Sequence, residues 1–186
     1  MWRPPQRLVT TRARVGYNAA GWRIWPTNYG MYLSQVKPQE TSIGRWHIGE
    51  PSADGELLGH GARSTQLATG KTNMSFALDP AVFRAGNASS SMYLRVCALD
   101  EGKGTWTLGA SSGAGQSKVL ATVKKRDTRR WVEVRTSVAL GDLDVATSSL
   151  LLHLADAGAV DDHTFAWLEA SKQPFLFNIT ETVISM

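Results

Sequence analysis

Short apolar alternations separated by turn residues run through most of this chain, and they restrict its fold more than any other feature. A period of two places alternate side chains on opposite faces of a strand. Asn73 to Leu78 sets Met74, Phe76 and Leu78 against Ser75 and Ala77 before Pro80 ends the run. Lys118 to Lys124 alternates through Val119, Ala121 and Val123, and Trp131 to Val138 sets Trp131, Glu133 and Arg135 against Val132 and Val134. Met92 to Leu99 is almost continuously apolar, the pattern of a strand covered on both faces. Thr105 to Ala110, Ser148 to Ala155 and Thr164 to Glu169 extend the series, and Leu8 to Tyr17 and Ile43 to Ile48 read as outer strands. The glycine-bearing turn Asp100 to Gly104 predicts a hairpin between its two flanking strands. Helical spacing is confined to Tyr29, Tyr32, Leu33 and Val36, between Asn28 and Pro38, and predicts one or two helical turns. Eight or nine short strands with little helix predict an all-β fold, an antiparallel two-sheet β-sandwich of jelly-roll type.

The 186 residues fit one domain, large enough to bury a real core. A hydrophobic fraction of 42% and a charged fraction of 19% exclude a disordered chain. The formal net charge of +4 is concentrated in Arg3, Arg7, Arg12 and Arg14 and in Lys124, Lys125, Arg126, Arg129 and Arg130. The second group reads either as a patch for a polyanion or as a solvated hairpin turn with Asp127-Thr128 at its tip. No nucleic-acid-reading motif accompanies it, so no nucleic-acid partner is expected. Cys97, the single cysteine, lies in an apolar run and reads as a buried, inert thiol. The first residues lack the apolar run of a signal peptide, and no stretch is long enough for a membrane span. The expected organisation is a basic extension over 1–14, a sandwich domain over 15–171, and a tail or edge strand over 172–186.

The stretch Gly21 to Gly49 gathers Trp22, Trp25, Tyr29, Tyr32 and Trp46 beside Trp-Pro and Asn-Tyr-Gly turn signals. Flat aromatic faces suit the apolar C–H face of a pyranose ring, and amides, imidazoles and guanidinium groups suit its hydroxyls. The aromatic candidates for such contacts are Trp22, Trp25, Tyr29 and Tyr32, and the polar ones are Asn28, Gln35, Arg45, His47, His60 and Arg63. Trp46 shares a strand face with Ile48 and reads as core, which turns Arg45 and His47 outward. Trp106, Trp131 and Trp167 lie in strands and read as packing residues.

Several of these residues carry a resemblance. Ile24-Trp-Pro-Thr-Asn-Tyr29, Leu33-x-Gln35 and Thr41-Ser-Ile-Gly-x-Trp46 are followed by Leu99-Asp-Glu-Gly102, Gly104-Thr-Trp-Thr-Leu108 and Phe165-x-Trp-Leu-Glu169. Over roughly Val15 to Ser171 this order resembles the galactose-binding-like jelly roll of carbohydrate-binding modules attached to bacterial polysaccharide-degrading enzymes. The resemblance implies a non-catalytic module that binds a polysaccharide. It also implies a covalently linked enzyme domain and an extracellular setting within a larger exported protein, with a cytoplasmic one left open by the missing signal peptide. Many such modules hold a structural calcium, for which Asp79, Asp100, Asp161 and Asp162 are the available carboxylates.

Two other readings stay open. A small polysaccharide lyase or glycoside hydrolase needs a placed pair of carboxylates or a His, Tyr and Arg constellation, for which His47, His60, Tyr29 and Arg63 are present. The adjacent acids Asp100-Glu101 and Asp161-Asp162 sit in turn sequences, where carboxylates usually bond local backbone. The third reading is a structural or protein-interaction sandwich. Elbow, dinucleotide-loop and zinc-binding motifs are absent from the sequence.

Overall fold

The computed structural model describes residues 10–14, 33–35, 45–48, 59–78, 91–111, 117–143 and 150–175. Among the described residues eleven strands form two antiparallel sheets: β1 Thr10–Arg14, β2 Leu33–Gln35, β3 Arg45–Ile48, β4 Gly59–Ser64, β5 Asn73–Leu78, β6 Ser91–Leu99, β7 Thr105–Ser111, β8 Ser117–Lys124, β9 Trp131–Ala139, β10 Leu151–Asp156 and β11 Thr164–Ser171. One sheet has the order β3-β4-β11-β6-β9, with β1 also paired to β11, and the other has the order β2-β5-β10-β7-β8. Two short 3-10 turns, Leu67–Thr69 and Leu140–Asp142, are the only helical elements among the described residues.

The inward rows of the two sheets form one core. Met74, Phe76, Trp106, Leu108, Leu152 and Leu154 from one sheet meet Leu94, Val96, Ala98, Val134, Phe165 and Leu168 from the other, all buried. Trp106 packs edge-on against Phe165, with ring centroids 5.1 Å apart and planes at 87°, the favoured geometry for two quadrupolar rings. Cys97 is buried, and β6 is covered along nearly its whole length, as its apolar run predicts.

Four expectations are corrected. Of the helical turns expected over Tyr29 to Val36, only Leu33–Gln35 lies among the described residues, and it forms β2, an edge strand whose Leu33 stands opposite Leu78; there, pairing with β5 overrides a weak 3.6-residue period. The hairpin expected across Asp100 to Gly104 is a crossover, since β6 pairs with β9 and β11 while β7 pairs with β8 and β10. The phase of β8 is also shifted. Leu108 stands opposite Ala121 but Gly109 opposite Val119, so Leu120 is an extra residue and the bulge turns Val119 out to 58% exposure. The Lys124 to Arg130 segment joins β8 in one sheet to β9 in the other, and its Lys125 is 5% exposed, so this is a crossover holding a buried lysine rather than a solvated hairpin turn. The segment 1–14 contributes β1, which pairs with β11 from Thr10↔Ser171 to Arg14↔Trp167, and β4 was not read from the sequence at all.

Candidate functional site

The expected contact residues fall into three groups. Trp22, Trp25, Asn28, Tyr29 and Tyr32 lie outside the described residues. Gln35 stands opposite Phe76 in the pairing of β2 with β5. The β3–β4 pair contains the others: Arg45 opposite Ala62, Trp46 opposite Gly61, and His47 opposite His60. Directly opposed residues in an antiparallel pair lie about 5 Å apart between Cα atoms, so His47 and His60 are neighbours along the backbone ladder. Arg63 stands opposite core residue Phe165. Arg63 is 6% exposed, and desolvation lowers the pKa of its guanidinium. Arg63 is therefore a buried side chain, and Arg45, His47 and His60 are placed only by the pairing of β3 with β4.

The most densely bonded polar region is one end of the sandwich, where four crossovers meet: 65–72, 100–104, 125–130 and 157–163. Each joins one sheet to the other. They are tied by backbone bonds from Thr65 N to His163 O, Lys125 N to Gly104 O, and Asp156 N to Thr72 O, each 2.8 to 3.0 Å.

Aspartates organise this end because a carboxylate accepts several N–H donors at once. Asp161 accepts from Lys103 N at 2.7 Å and Gly104 N at 3.0 Å, and its Oδ1 is paired with Lys125 Nζ at 2.8 Å. Burial alone raises its pKa, but these donors outweigh burial and hold the group below the usual carboxylate range. Lys125 Nζ also donates to Asp162 O at 2.8 Å. Asp162 Oδ1 accepts from Leu67 N at 2.8 Å. A Cβ at Gly102 or Gly104 would overlap the Asp161 carboxylate, so these glycines are required by the nesting of that side chain.

Asp100, 5% exposed, shapes the crossover 125–130. Its Oδ1 accepts from Arg126 N at 2.7 Å, its Oδ2 from Thr128 Oγ1 at 2.6 Å, and its backbone oxygen from Arg129 N at 2.8 Å. Its own N–H donates to Arg130 O at 2.9 Å, and Asp127 Oδ1 accepts from Gly102 N at 2.8 Å. Within that frame Asp127 and Arg129 adopt φ of 62° and 56°, a left-handed conformation costing about 1 kcal/mol for a side chain with a Cβ.

Two further clusters escaped the sequence reading. On the solvent side of the second sheet, half-buried His153 lies between Ser75 Oγ, 3.1 Å from Nδ1, and Ser111 Oγ, 2.6 Å from Nε2. On the outer face of the first sheet, Arg95 donates to Glu169 at 2.8 Å and Glu133 at 3.5 Å, and its guanidinium lies 5.2 Å from the Trp167 ring and 4.5 Å from that of Phe175. Residues opposed across strands that are distant in sequence leave no local spacing by which to find them.

Asp100, Asp161 and Asp162 bond backbone donors on distant crossovers rather than in their own turns, and Glu169 pairs with Arg95. Asp79, the fourth carboxylate considered for calcium, lies outside the described residues. Among the described residues no three His, Cys, Asp or Glu side chains form a group able to hold a metal ion, and no helix is long and apolar enough to cross a membrane.

No sequence-family model matches the chain, and no curated protein matches it by sequence. Solved structures do match in shape. The C-terminal family 22 carbohydrate-binding module of Clostridium thermocellum Xyn10B aligns over 94% of this chain and 100% of its own, with 10% identity and a TM-score of 0.52. The xylan-binding module CBM15 covers 75% of this chain and 95% of its own, at 8% identity and a TM-score of 0.44. The sheet order, the inter-sheet crossovers and the full-length match to the first of these agree: the chain has the jelly-roll β-sandwich fold found in carbohydrate-binding modules.

Proposed function

We propose that this chain is a non-catalytic module that binds a polysaccharide. The observation that carries this reading is its end-to-end fold likeness to a carbohydrate-binding module of Clostridium thermocellum Xyn10B. In the proposed site, Trp25, with Trp22, Tyr29 and Tyr32, stacks on sugar rings. Asn28 and Gln35 bond hydroxyls from the same segment, and Arg45, His47 and His60 do so from the paired strands β3 and β4. The register of those two strands supports the second half of the site. The bonding of the turn carboxylates to backbone donors favours binding over hydrolysis, because a glycosidase needs two carboxylates facing its substrate. We place the module beside a polysaccharide-degrading domain of an exported protein.

Titration with a panel of neutral and anionic oligosaccharides tests this reading, followed by tryptophan fluorescence and calorimetry. Saturable heat and a fluorescence change with at least one of them are expected, with the Trp25→Ala variant losing both. No response to any oligosaccharide would refute the proposal. Release of shortened products, abolished by His47→Ala in a folded protein, would replace it with an enzyme.

A further inference from the structure

We infer that the crossover from β8 to β9, together with Lys103 of the β6–β7 crossover, is a preorganised anion-recognition surface for carboxylate or sulfate groups on a polysaccharide. This rests on the carbohydrate-binding reading above and names the ligand class. Lys103, Lys124, Arg126, Arg129 and Arg130 are all exposed at the end of the sandwich where the four crossovers meet. Buried Lys125 is neutralised by Asp161 and takes no part. The exposed set is fixed at its base: Asp100 bonds Arg126, Thr128, Arg129 and Arg130 through its carboxylate and backbone, and Asp127 ties the loop to Gly102 beside Lys103. A flexible, solvated turn needs neither the buried aspartate nor the left-handed conformation of Asp127 and Arg129. Such conformations persist where surrounding bonds impose them, and they cluster at functional sites. A guanidinium held from its backbone loses less freedom when it forms a bidentate bond to carboxylate or sulfate.

The interspersed acids set the class of anion. Glu101 and Asp162 are exposed on the adjoining crossovers, so the field alternates in sign. That pattern suits single anionic groups spaced by sugar units. It opposes the unbroken phosphate line of a nucleic acid, whose binding rests on several neutralised phosphates in a row.

Calorimetry on the full chain at low salt tests the assignment with three probes: a uronic-acid oligosaccharide, the same oligosaccharide with its carboxyls reduced to alcohols, and a single-stranded DNA of similar charge. The carboxylated sugar is expected to bind about tenfold more tightly than the reduced one. The preference should shrink as salt is raised and vanish in an Arg126→Gln, Arg129→Gln, Arg130→Gln variant with an unchanged melting profile. Asp100→Asn separates preorganisation from bulk charge. It makes the loop more positive but replaces one of the two carboxylate acceptors with a donor, so it weakens binding if the loop is preorganised and strengthens it if only the field matters. Equal affinity for the two sugars, tighter binding by Asp100→Asn, or tighter binding of the DNA would overturn the inference. If Asp100→Asn does not fold, the exposed triple variant decides alone. Failure of both sugars to bind would overturn the polysaccharide reading with it, whereas binding of both equally overturns the anion site only.

Discussion

At His163 the side chain is 1% exposed, and Nε2 donates to Asp156 Oδ1 at 2.8 Å, which leaves Nδ1 unprotonated and without a hydrogen-bond partner. Burial is the largest influence on this imidazole and lowers its pKa from the ordinary 6.5; neighbouring Lys125 lowers it too, against the opposing pull of Asp156 and Asp161. A base depressed in the fold stabilises it fully above its unfolded pKa, and stability declines as pH falls below about 6.5. Asp156 is also perturbed: burial raises it, but bonds from His163, Ala159 and Gly158 bring it below the ordinary 3.8. Its contribution is present above about 3.8 and disappears only as pH falls through the lower folded value. Thermal melts should therefore show a first loss of Tm between about pH 7 and pH 5, absent from His163→Gln, and a second loss in stronger acid. A wild-type Tm flat from pH 7 to pH 5 would contradict this. Gly104 gives a second residue-scale test. Alanine there meets the Asp161 carboxylate and His163, and urea unfolding should report a loss of about 1–3 kcal/mol.

Among elements, the β9–β6–β11 ladder brings Glu133, Arg95 and Glu169 onto one outer face. All three are 9% exposed or less. Arg95→Ala removes the guanidinium that bonds both Glu169 and Glu133, leaving Glu133 to Arg135, and should cost about 3–5 kcal/mol in denaturant unfolding. Arg95→Met combined with Glu133→Gln and Glu169→Gln should recover much of that, because no buried carboxylate is left without its cation. A triple variant as unstable as Arg95→Ala would show that packing against Trp167 and Phe175, rather than charge, dominates. The strand pattern itself was readable wherever one face is core: Met74, Phe76 and Leu78 are all buried as their alternation predicts. It misled in β8, because a bulge reverses the facing of every residue on one side of it. It was silent on β4, where Gly59, Gly61 and Ala62 give no apolar period.

For the whole molecule, the crossovers between sheets make folding depend on contacts distant in sequence, such as Thr65 with His163. The chain should therefore fold slowly for its size, in the millisecond-to-second range of other β-sandwiches. Stopped-flow refolding checks this, and a microsecond phase carrying the full signal would be incompatible with it. Trp106 joins the two sheets near the crossover end, so its quenching should return in the same phase, and Trp106→Ala should cost about 3–5 kcal/mol.

Period-two alternation and turn residues were enough, from the sequence by itself, to determine an all-β sandwich and a buried Cys97. These are short-range consequences of side-chain direction and backbone hydrogen bonding. Only the tertiary structure decided that the Asp100 and Lys125 segments cross between sheets, that Arg63 is buried, and that β3 pairs with β4. It alone showed that Asp100 fixes an arginine-bearing loop. Those facts depend on which strands become neighbours, and that choice is made by packing one sheet's apolar face against the other, across separations of up to about 100 residues that no local pattern records.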